Sequence, residues 1–386
     1  MDKASLSRLN SPLTPFLIVA VIIPVFIFAR LKKADFDPSS FVVAGDTFCD
    51  PSLVPKNLTV TRGNVGHDGQ FYYRFALNPF TSKITEYGVT LDAPAYRQQR
   101  ILYPAVTWAL ALGNANLVPT MLILVNYFAL CLIGWVGGAY AQSLKRHALW
   151  GIFLPLYPGF LITLSRDLTE ILEVCLLLSS LLLVRRGRHV YATIVLTLAI
   201  LAKEPAILVA VAAGTVYPFR KWKPELKIDL KWYYFTAPLA AYFLWQVILY
   251  LNWRATPLPV SRGDLGLPFA GVTSFFLEIA QLRTDHEITF FFELLFLIGF
   301  ALSALYHLRS TAASLHEVVS WLLYVSLSLF WSRYIWNNDV DFLRALSEFY
   351  VLGTLLMIGS RLKVKNLIMG SFAAFWLYRY LRFIVR

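Results

Sequence analysis

The chain has 386 residues, of which 58% are hydrophobic and 15% charged, and it carries a net charge of +12. A soluble domain has roughly 25% charged residues, so this composition excludes an ordinary water-soluble protein. The Lys and Arg excess lies mainly in short loops between apolar blocks, where it acts as a topology signal, and a nucleic-acid partner is discounted with it.

In chain order, apolar stretches that could cross about 30 Å of hydrocarbon fall near 13–30, 117–141, 149–164, 168–184, 190–202, 205–218, 232–252, 289–308, 316–332, 343–359 and 366–384. The expectation is an all-α polytopic membrane protein, a single membrane domain over 1–386 with about eleven transmembrane helices. Pro15–Ala29 has the look of a signal-peptide core, but Arg30, Lys32 and Lys33 follow it without a small-x-small pattern, so it reads as an uncleaved first span. A further apolar piece, Ile101–Leu112, is too short to span and reads as lying along the interface or dipping into the membrane. Cys49, Cys131 and Cys175 form no CxxC pair, and neither a disulfide framework nor a zinc site is indicated.

A cytoplasmic N-terminus puts the strongly basic short loops on one side: Lys145 and Arg146, Arg185 to Arg188, the 219–231 loop, Arg309, and Arg361 to Lys365. That is the positive-inside pattern. The 219–231 loop doubles as a contact for anionic membrane lipids. Two groups break the pattern, Arg30, Lys32 and Lys33 after the first span and Arg379, Arg382 and Arg386 in the tail. The opposite, extracytoplasmic side then receives two long segments, 34–100 and 253–288, the first with a sequon at Asn57-Leu58-Thr59.

Ionisable residues near membrane depth are costly and are functional candidates by default. Five groups fall on the extracytoplasmic side: His67 and Asp68 with Arg97 and Arg100; Arg166, Asp167 and Glu170; Lys203 and Glu204; Asp285, His286 and Glu287; and Arg333, Asn337, Asn338, Asp339, Asp341 and Arg344. Guanidinium forks and a lysine suit a phosphate, and interleaved carboxylates suit a general base or sugar hydroxyls. Gly66 and Gly69 bracket His67-Asp68 and permit a tight turn, while Gln70, Tyr72 and Tyr73 add hydrogen-bonding and flat surfaces. The adjacent side chains of Asp285, His286 and Glu287 do not share a helix face, and no metal site is expected.

The segment GHDGQFYYRFALNPF at 66–80, followed by LDAPAYRQQRILYP at 91–104, resembles the first-loop pattern of the GT-C superfamily of membrane glycosyltransferases, more narrowly its bacterial members. LAKEP at 201–205 and DFLRALSEFYVLG at 341–353 extend the resemblance over most of the chain. It implies a GT-C-like bundle in a bacterial inner membrane. The donor would be a polyprenyl-phosphate-linked sugar and the acceptor a glycan, lipid or protein met on the periplasmic or lumenal face. It implies Asp68 as catalytic base in an inverting transfer, with Lys203, Arg166, Arg100 and Arg344 on the donor phosphate. No cofactor is called for. Where many members carry two adjacent acidic residues, this chain has His67-Asp68, which favours a plain base over a metal bridge. A transporter or flippase of a lipid-linked glycan, or a glycan ligase or polymerase, stands as the alternative.

Overall fold

The computed structural model describes residues 9–222, 229–257, 263–279, 285–336 and 338–385. Asn337 and the side chains of Asp285, His286 and Glu287 lie outside the description. The architecture is helical throughout; the strands among the described residues are two short pairs, Ala44–Gly45 with Val60–Thr61 and Thr85–Glu86 with Val89–Thr90. Four helices, Leu13–Lys33, Ala115–Ser143, Tyr233–Trp253 and Ile288–Ser310, are long and apolar enough to cross a membrane. Asp339–Ala345 and Ser347–Gly359, bent by 49° at their junction, make a fifth if the pair is one span. Large apolar side chains on these helices point outward, Val21 and Phe28 on the first and Phe243 and Leu244 on the third. An aqueous surface would not hold such faces, and lipid does. The chain is therefore built as a helical membrane protein.

The other apolar blocks form shorter helices. Glu170–Arg185 has 16 residues, about 24 Å of rise, which is less than the hydrocarbon thickness. The 149–164 block is not a single helix: a 3-10 turn at Ala148–Phe153 gives way to Pro158–Leu164. The reason is local, because Pro155 cannot continue the backbone ladder, while Pro158 opens the next helix at a position that suits proline.

Residues 34–100 fold as a compact cap with its own apolar core, including Val42, Leu58, Phe71, Tyr73 and Val89, seated against Tyr103, Leu122 and Val125. The sequon is committed to this packing: Asn57 donates from Nδ2 to Ala115 O (2.7 Å) and accepts from Tyr73 OH (3.1 Å). Cys49 is buried in the same core, and burial pushes its thiol up to about 12, leaving it unreactive.

Three interruptions in the helical bundle meet this cap. The first is the turn at 165–169, the second the extended Lys203 (φ −158°, ψ 130°) between His189–Ala202 and Ile207–Val216, and the third the bend at Leu346. Pro205 contributes to the second, since it has no N–H to continue the ladder of the preceding helix and instead sits in the first turn of the 3-10 helix Glu204–Ala206. Non-helical backbone at membrane depth is tolerated where it lines a cavity or is buried in protein.

Candidate functional site

The site is organised by the turn at 66–69. Gly66 lies in the left-handed region at φ +74°, and the backbone N of His67 donates to Val43 O at 2.9 Å. Gly69 serves a different purpose, close approach: a Cβ there would collide with the carbonyl of Arg166 and lie 2.8 Å from that of Val42. Absence of a side chain thus lets the Asp68 turn rest directly on the 165–169 turn. Gly69→Ala is expected to push the two apart by several tenths of an ångström and to cost about 1–3 kcal/mol. Thermal melting of the purified variant checks this, and an unchanged melting point would show the contact to be slack.

Asp68 accepts from Arg97 Nη1 at 2.8 Å and from Arg344 Nη1 at 3.3 Å. Arg97 is itself held by both oxygens of Asp92 (2.9 and 2.8 Å) and lies 4.5 Å from the Phe71 ring centroid. Arg344 also reaches Asp341 at 3.0 Å and Glu170 at 3.9 Å. Burial alone would raise the Asp68 pKa, but Arg97, Arg344 and Arg100 outweigh it and hold the carboxyl well below the usual range. His67 moves the same way for another reason: burial, then the charges of Arg166 and Arg344, lower it to about 4. It is a neutral imidazole whose Nε2 accepts from Arg166 Nε at 3.4 Å.

Behind Arg344 lies a buried lysine among carboxylates. Lys203 Nζ is 3.4 Å from Glu348 and 3.6 Å from Glu170. Burial works against its charge, yet Glu348, Glu170 and Glu173 outweigh that penalty, and its pKa stands above the ordinary lysine value. Arg100 closes the group with a two-pronged contact to Glu204 (2.6 and 2.8 Å), and it donates to Tyr96 OH at 2.9 Å and Tyr72 OH at 3.2 Å. Burial works to raise the Glu204 carboxyl, but Arg100, with a backbone hydrogen bond and Lys203 adding to it, brings it below its ordinary value. Arg100, Glu170, Lys203, Glu204 and Arg344, with Asp264 and Asp341, line a cavity of about 300 Å³ whose other walls, Leu208, Tyr324 and Trp331 among them, are apolar or aromatic. A small polar group can therefore be bound at one wall while an apolar moiety contacts the opposite one.

Asp68, Tyr72, Arg97, Arg100, Glu170, Lys203, Glu204 and Arg344 are brought to this one region from four separate parts of the chain. Four of the sequence-predicted residues have other surroundings, the first being His67, whose contact is to Arg166. Gln70 supports the cap, accepting from Gly45 N at 3.1 Å and donating to Val65 O at 3.0 Å. Asp167 is fully buried, its carboxyl oxygens without a hydrogen-bond partner among the described residues, and burial raises its pKa well above the carboxylate range. Arg166 lines a different cavity. Conversely, Glu173, Glu348, Tyr96 and Asp92 belong to the region and were not singled out in the sequence. For Glu173 and Glu348 a signal existed, a carboxylate inside an apolar helix.

Comparison of the chain with protein-family models, with curated proteins and with solved structures returned no match.

Proposed function

We propose that this protein is a membrane glycosyltransferase that moves a sugar from a polyprenyl-phosphate donor to a hydroxyl acceptor on the extracytoplasmic face, the chain crossing the bilayer about eleven times. The observation that carries the reading is the ionised Asp68, presented on a glycine-flanked turn and touching Arg344 at the edge of a cavity that combines fixed charge with apolar walls.

In the proposed reaction Asp68 accepts the proton of the acceptor hydroxyl as its oxygen attacks the anomeric carbon. The bond from that carbon to the phosphate oxygen breaks on the opposite face, and inversion follows. The lipid phosphate leaves as an anion, so its departure calls for cations and no acid catalyst. Arg344 is placed for that role, with Arg100 and Lys203 next to it. At rest two guanidiniums make Asp68 a weak base, and a general base works best with a pKa near the operating pH. Donor phosphate drawing Arg344 toward itself would return basicity to Asp68, coupling donor binding to activation of the acceptor.

The pH dependence follows from the two downward shifts. A lowered Asp68 stays anionic, and a lowered His67 stays neutral, as pH falls through the range in which ordinary histidine titrates. Activity is therefore expected to persist down to about pH 5 and to fall as pH approaches the value of about 4 at which His67 becomes charged. An acid limb centred near 6.5, the ordinary histidine value, would refute this assignment. The activity itself is tested with the full-length protein in sealed, right-side-out vesicles, using a panel of prenyl-phosphate sugars and water-soluble acceptors. Release of free prenyl phosphate with at least one sugar is expected, and no release across the panel counts against the reading.

A further inference from the structure

Of the two groups of basic residues that break the positive-inside pattern, Arg386 lies outside the described residues, and members of each group are neighbours in space. Arg30 and Lys33 at the end of the first helix, Arg379 and Arg382 at the end of Lys365–Val385, and Arg166 line one cavity of about 460 Å³, with Asp339 the carboxylate among them. Arg379 is accounted for, since it contacts Glu293 at 2.6 Å and Asp339 at 2.7 Å. Arg382 reaches a hydroxyl, Thr289 Oγ1, at 3.4 Å. Arg30 and Arg166 are the remainder. Arg30 donates to Ser40 O at 3.3 Å and faces the Phe41 ring at 5.0 Å, and Arg166 contacts Ser165 Oγ and His67. Neither has a carboxylate within ion-pair distance among the described residues. Each guanidinium is mostly withdrawn from solvent, and burial together with the neighbouring charges of Arg30 and Arg344 draws the Arg166 pKa down to about 10.

Asp167 attracts Arg30, and Asp339 and Asp341 attract Arg166, but from beyond ion-pair distance; a partly buried cation without an ion-pair partner costs several kcal/mol, and two facing one cavity repel each other. A ligand that brings negative charge removes both penalties. The rest of the wall defines what carries that charge. Phe26, Phe290 and Val340 line the same cavity, and it lies between two helices whose outer faces expose Val25 and Phe28 on one side and Leu377 and Leu381 on the other. An apolar chain can follow these faces while its headgroup sits on the arginines.

We propose that this cavity is a binding site for the phosphate of an amphiphile, held by Arg30 and Arg166 with Arg382 and Lys33 at the rim. The site is separate from the Lys203 cavity: His67 contacts Arg166 at the one, and Asp68 contacts Arg344 at the other. It rests on charge and geometry and stands whether or not the protein transfers a sugar.

The test uses the full-length protein in maltoside detergent with dodecyl phosphate as probe. Binding is expected, with no competition from dodecanol and none from inorganic phosphate at equal concentration. The double variant Arg30→Gln, Arg166→Gln is expected to bind at least about tenfold more weakly, as loss of charge-assisted contacts implies. Competition by dodecanol would overturn phosphate recognition, and equal competition by inorganic phosphate would overturn the amphiphile. An alkyl phosphate bearing a diazirine in its tail, applied to the unmutated protein, is expected to label Leu13–Lys33 or Lys365–Val385. Labelling confined to other helices overturns the site even if the double variant does not fold.

Discussion

Asp68→Asn is expected to lower prenyl phosphate release by about 10²–10⁴-fold, the usual contribution of a positioned general base, while leaving the fold and donor affinity in place. The fold should survive because neither cation loses its last partner. Arg97 keeps both oxygens of Asp92, and Arg344 keeps Asp341 and Glu170. Donor affinity should be unchanged or better, since removing the Asp68 charge leaves Arg344 freer to meet a phosphate. The combination of a fallen kcat with a steady or lower KM separates loss of the base from loss of the site. Full turnover by the Asn variant would reduce Asp68 to a turn residue, in keeping with the frequency of Asp-Gly in turns.

Lys203→Met should be the most destabilising single change near the site, by about 3–5 kcal/mol, because it leaves the Glu348 carboxylate buried without its cation and Glu170 with only the 3.9 Å contact to Arg344. Glu173 aggravates the loss: it is fully buried in the same cluster, and its oxygens have no hydrogen-bond partner among the described residues. Adding Glu348→Gln to Lys203→Met removes one of the stranded charges and is expected to recover about 1–3 kcal/mol, the coupling typical of groups in one network. Melting midpoints of the two single variants and the double variant, in one detergent and at one pH, supply the cycle. A Lys203→Met protein within about 1 kcal/mol of wild type would mean that water or a rearranged carboxylate already compensates the cluster.

Much of the bundle was legible because apolar runs impose helix directly: backbone groups in hydrocarbon must bond within their own segment. Each apolar block contains a helix. Where the reading went astray, proline was decisive, as at Pro155, which divides the 149–164 block. Span number is a different matter, for the short helices are held by neighbours as well as by lipid. The cap over 34–100 was legible only as a loop with a distinctive motif, because its core is assembled from single residues scattered over many short pieces.

For the candidate site, the sequence by itself determined which ionisable residues sit where apolar blocks end, since charges are excluded from lipid and collect at helix breaks. It also marked the His67-Asp68 turn, because glycines on both sides leave a recognisable trace. Pairing was decided by the tertiary structure alone. Arg100 meets Glu204 across 104 residues of chain, and Asp68 meets Arg344 across 276. Nothing local to either residue specifies such a partner, because Coulomb attraction and close packing act on distance in space. The same reason explains Arg30 and Arg379. In the sequence they were exceptions to a topology rule at opposite ends of the chain, and only the packing of the first and last helices made them walls of one cavity.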